Sequence, residues 1–140
     1  MSSLGGGRHA LTFANAARHL CADEPSLWPA ALLQMALFVG RNKPFVKAQQ
    51  DVSEWAVRDR AAFMAREMAA LYDHAIPEPL VACHSVKVLF ALEDELAHTP
   101  DAPWTDLMCA AVNRYLATPM KRHHGLRLAR QARAFVAKEG

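Results

Sequence analysis

No stretch of this chain alternates apolar and polar residues at period two, and β-branched residues are scarce while alanine is abundant. A half-buried strand needs that alternation and favours β-branched side chains. The chain is therefore expected to be all-α. Gly and Pro punctuation divides it into about six helical segments, the arrangement of a single compact bundle of five to six helices. Its 140 residues are the length of one ordinary domain. Residues 1–140 are read as one helical domain, with the glycine-bearing residues 1–7 expected to be flexible.

The first helix is expected from about Arg8 to Ala22, with Phe13, Ala17, Leu20 and Cys21 on one side. The second is expected within residues 27–39, an uninterrupted run without a single charge whose only clearly polar interior residue is Gln34. It is expected to be the most buried element, closed by Gly40 as its C-cap. A long helix over 51–75 follows. It carries one stripe of Val52, Trp55, Ala56, Phe63 and Ala70 and another of Val57, Met64, Met68 and Leu71. Two stripes require two sets of neighbours, one of which can belong to another subunit. A helix over 80–98 is expected to share the centre of the bundle with 27–39. A fifth helix after Pro103 presents Trp104, Leu107, Met108, Ala111 and Tyr115 as its inner face, and a sixth runs from about His123 to Lys138.

Cys21, Cys83 and Cys109 lie far apart, are odd in number and include no C-x-x-C pair. That spacing argues against a disulfide framework and a cysteine zinc site, and it suits a reducing cytoplasm. The run 27–39 is too short to cross a bilayer, and residues 1–13 lack the layout of a signal peptide. No membrane association is expected.

Residues 80–98, LVACHSVKVLFALEDELAH, hold the densest chemistry. On a helical wheel, apolar residues cover over half the circumference, and His84, Lys87, Asp94, Glu95 and His98 share the remaining strip. Cys83 lies about 100° from His84 and falls among the apolar residues, so the two are not aligned as nucleophile and base. His84 and His98 are about 21 Å apart along the axis, too far to share a metal ion. A second Glu-x-x-His to complement Glu95 and His98 is missing, which removes a ferritin-like di-metal site. Asp73, His74, Glu78 and His84 bracket the IPEP turn, and chain geometry allows His74 and His84 to approach across it. Such a group is a candidate metal, ligand or proton-transfer site. No cofactor is otherwise expected.

A net charge of +2 conceals an asymmetry: residues 114–140 carry seven Lys/Arg against one acid, and residues 1–113 nine against thirteen. Arg122, Arg127, Arg130 and Arg133 line one face of the sixth helix, opposite Leu128, Ala132, Phe135 and Val136. That face can grip phosphates, yet it carries no aromatic side chain for stacking bases, and Glu93 to Glu95 offer acids to pair with it. Nucleotide-binding, hydrolase and zinc-protease motifs are missing. The leading expectation is an interaction protein, a homodimer or helical subunit of a larger assembly, with Trp55, Val57, Met64, Met68 and Leu71 as interface. A ligand or metal site at His74/Glu78/His84 and a nucleic-acid surface on the basic helix are the alternatives.

Overall fold

The computed structural model describes residues 4–45, 51–73 and 79–118, together with residues 130, 132–134 and 136–137. The chain is an all-helical bundle. Its elements are α1 (Leu4–Asp23), α2 (Trp28–Asn42), α3 (Arg60–Tyr72), α4 (Pro79–His98) and α5 (Thr105–Ala117), with single 3-10 turns at Pro25–Leu27, Lys43–Phe45 and Ser53–Trp55. Residues 130, 132–134, 136 and 137 are also helical. Among the described residues there is no strand.

α4 is the central helix, with α1, α3 and α5 around it. Val88, Leu89 and Leu92 of α4 meet Phe63 of α3 and Cys109 and Val112 of α5 in one cluster, which Leu11 of α1 flanks. The fully enclosed hydroxyl of Thr105 is satisfied locally: it donates to the Thr99 carbonyl at 3.0 Å. This bond braces the corner between α4 and α5, because an unpaired buried hydroxyl would oppose folding.

The expectation of a second central helix at 27–39 is overturned, since α2 contains no buried residue. It is joined to α1 by the short turn through Pro25–Leu27, which folds it back as an antiparallel hairpin. Only its Ala31, Met35, Phe38 and Asn42 edge turns inward, and the remaining sides of α4 are taken by α3 and α5. Hydrophobicity alone ranked α2 first; connectivity put it on the outside. Gly40 is not its C-cap either, because the helix runs through it to Asn42.

The helix expected over 51–75 begins only at Arg60, for a local reason. Asp59 has an extended backbone and accepts the Ala62 N–H at 2.9 Å, an N-cap that restarts the chain. Just ahead of the preceding 3-10 turn, the Asp51 carboxylate accepts the Ser53 N–H at 2.8 Å. Trp55 therefore sits on a 3-10 turn, where its carbonyl accepts from Asn113 Nδ2 at 3.0 Å. Asp59→Ala should destabilise the chain by about 1 kcal/mol, read from the urea midpoint at unchanged slope. A change within error would mean the cap contributes nothing.

α5 is turned by about one residue from the expected face. Thr105, Cys109, Ala110 and Val112 are buried, Met108, Tyr115 and Leu116 pack on the cluster, and Trp104 and Leu107 are exposed. The small side chains let α5 approach α4 closely. Trp104 is the N-cap residue, ahead of the first helical turn, and is exposed.

Candidate functional site

α1 and α4 run side by side in the same direction, as their contacts show. His9 stands edge-on to His84, with ring centroids 5.4 Å apart, and residues 15–19 meet residues 94–95. Arg18 Nε donates to Glu95 Oε1 at 2.9 Å, and Arg18 Nη2 pairs with Asp94. Asn15 Nδ2 donates to both carboxylates, at 2.5 Å to Asp94 and 3.0 Å to Glu95. His19 Nε2 lies 2.7 Å from Asp94 Oδ2. An ionised carboxylate can only accept, so this nitrogen carries a proton.

Asp94 and Glu95 of the polar strip are thus turned toward α1, and the exposed side of α4 mixes apolar residues with Lys87, Glu93 and His98. Val86 and Phe90 are exposed there, together with Cys83, which was expected to pack among apolar neighbours. The reason is pairing: Asp94 and Glu95 gain a guanidinium, an amide and an imidazole by facing α1, and rotating α4 the other way would bury them without partners. Asp94 and Glu95 consequently find a cation, Arg18, on α1.

His19, by its hydrogen bond, holds the Asp94 carboxyl below its ordinary value of 3.8, with Asn15 and the Arg18 charge adding to the effect against a smaller desolvation. A lowered folded-state pKa means a contribution that is present above 3.8 and lost as the pH falls through the lowered value. Acid unfolding between about pH 5 and pH 2 should therefore be shallower in Asp94→Asn than in the parent chain. Identical melting-temperature profiles for the two would remove Asp94 as a contributor.

Above the α1–α4 seam, α2 completes an open groove of about 850 Å³. Its apolar lining is Phe13 and Ala16 of α1, Phe38 of α2, and Phe90 and Ala91 of α4. Phe13 and Phe38 lie nearly parallel, 13° between planes and 6.3 Å between centroids. His9, Thr12, Asn15, His19, Lys87 and Asp94 supply the polar lining. The groove was not read from the sequence, although its signal was there. His9, Thr12, Phe13, Ala16 and His19 on α1, and Lys87, Phe90, Ala91 and Asp94 on α4, each follow helical spacing on one side. Nothing in either stripe says that the two stand side by side.

Several of the residues expected to form sites fall outside the described residues, His74 and Glu78 among them. Asp73 is exposed at the C-terminus of α3, and His84 meets the ring of His9. Among the described residues no group of three or more His, Cys, Asp or Glu is placed to hold a metal ion. Val57, Met64, Met68 and Leu71 pack on the core of their own chain, and Trp55 is half-buried. Arg122 and Arg127 lie outside the described residues, whereas Arg130 and Arg133 are helical and exposed. Among the described residues no helix is long and apolar enough to cross a membrane.

Among the described residues, the outer side of α2 exposes a run of large apolar side chains. Leu32, Leu33, Leu37 and Val39 are between 56% and 61% exposed, and Leu20 of α1 and Trp28 are exposed beside them. Comparison with family models, with curated proteins and with solved structures finds no match to this chain.

Proposed function

We propose that this chain works by association, and that two copies pair through the outer sides of their α2 helices. The observation that carries this reading is the row of exposed leucines on a helix with no buried residue. Contiguous apolar surface of this kind marks an interaction site in folded proteins. A second copy suits it because no charge interrupts residues 27–39, so two identical faces meet without like-charge repulsion. The interface thus moves from the Trp55/Met64/Met68 surface to α2. Those methionines already have neighbours within the chain.

Gly40 adds support. Glycine within a helix costs about 1 kcal/mol relative to alanine. A Cβ at this position would meet nothing within 4 Å, so no contact within the chain requires glycine here. With Leu33, Ala36 and Leu37 it lies on the outward side of α2, where a small residue lets a second backbone come close.

Gly40→Ala distinguishes the two situations by sign. In a monomer it should raise stability by up to about 1 kcal/mol. In a dimer built on this face it should weaken self-association even as it stabilises the helix. Mass by light scattering across a range of protein concentration, with thermal melts of both chains, reads the difference. A parent chain that stays monomeric at all concentrations would sink the reading.

A further inference from the structure

We propose that the groove over α1, between α2 and α4, is a binding site for a small planar aromatic acid. It lies on the inward side of α2, away from Leu33 and Leu37, and does not depend on how the chain associates. A volume of about 850 Å³ falls in the range of small-molecule sites, which are mostly apolar with a few placed polar groups. Three phenylalanines from three different helices converge on it: Phe13, Phe38 and Phe90. Phe13 and Phe90 remain exposed, so aromatic faces stand open to water in a concave place. A flat ring entering there removes that surface from water and gains offset or edge-on contacts with the phenyl groups.

Charge selects the other end of the ligand. Asp94 is already engaged where it stands, accepting from Arg18, Asn15 and His19. Lys87 lies two helical turns from Asp94, about 10 Å along α4. It has Cys83 and Ala91 four residues away and His84 and Phe90 three away, so its own helix offers it no acid. Among the described residues no carboxylate lies within ion-pairing distance of it. An ammonium one turn from Phe90, at the lip of an aromatic groove, calls for a carboxylate attached to a ring. A cationic ligand would meet Lys87 with repulsion, and the nearest carboxylates are already paired.

The test titrates the full chain with 1-naphthoate, with the uncharged 1-naphthylmethanol and with 1-naphthylmethylammonium, by calorimetry and by amide chemical shifts. Naphthoate should bind saturably, with the alcohol weaker by about fivefold, the scale of one exposed ion pair. The ammonium should bind more weakly still. Lys87→Gln should abolish the preference for naphthoate over the alcohol, and Phe90→Ala should weaken both. Each replaces an exposed side chain, and an unchanged circular dichroism spectrum confirms folding. Three results would each overturn the proposal: no saturable binding of naphthoate, equal binding of all three probes, or a preference that survives Lys87→Gln.

Discussion

Phe63→Ala should lower the stability of the chain by about 3–5 kcal/mol, a large part of the 5–15 kcal/mol typical of a domain. The ring is 2% exposed and is the only buried residue of α3. It enters a cluster with Val88, Leu89 and Leu92 of α4 and Cys109 and Val112 of α5. Removing it forfeits the transfer energy of the ring and leaves a void that helices on both sides cannot close independently. The Arg66 guanidinium, 5.3 Å above the ring, loses that contact but keeps Glu67, and its side chain is largely in solvent, so this contributes little. Because Met64, Met68 and Leu71 are only half-buried, α3 should be released first. Hydrogen exchange in α3 should then accelerate more than in α4, while the urea midpoint falls. A loss under about 1 kcal/mol would mean that α3 is held by something other than Phe63.

Replacing Leu33 and Leu37 together by glutamate should separate the proposed dimer while leaving the monomer nearly as stable as before. Both side chains are more than half exposed, and glutamate is a good helix former, so the folded monomer should change by no more than about 0.5 kcal/mol per site. In a two-fold pair each substitution occurs twice, and four carboxylates would be desolvated or pushed apart. The dissociation constant should rise by about 100-fold or more. Light scattering should then report a monomer at concentrations where the parent chain is paired. If the doubly substituted chain keeps the parent's dimeric mass, the interface lies elsewhere, and the exposed apolar side of α4 around Val86 and Phe90 is the next surface to alter.

The two variants differ in how visible their positions were beforehand. Phe63 stood in a recognisable apolar stripe, and its burial follows from that stripe. Leu33 and Leu37 stood in the most apolar segment of the chain and were expected inside. They are outside because a hairpin helix docks along one edge only, and α4 had room for three neighbours. Asp94 and Glu95 were expected at a wet edge of α4 and instead meet Arg18 and Asn15 of α1, partners some eighty residues away in the chain. No spacing rule within a helix points to a partner at that distance.

Composition and punctuation determined the all-helical class and most of the boundaries of the long helices among the described residues. Helix formation is set by hydrogen bonds four residues apart, and by prolines and glycines that interrupt them. Even the late start at Arg60 is written locally, in the Asp59 cap. Which side of each helix faces inward is another matter. On α2, α4 and α5 apolar residues cover so much of the circumference that several orientations bury similar area. The choice among them was made by contacts between distant segments: the α1–α2 turn, the Arg18 pairing and the small residues of α5. The groove of Phe13, Phe38 and Phe90 exists only because of those choices, since its three rings come from three helices that no local rule places together.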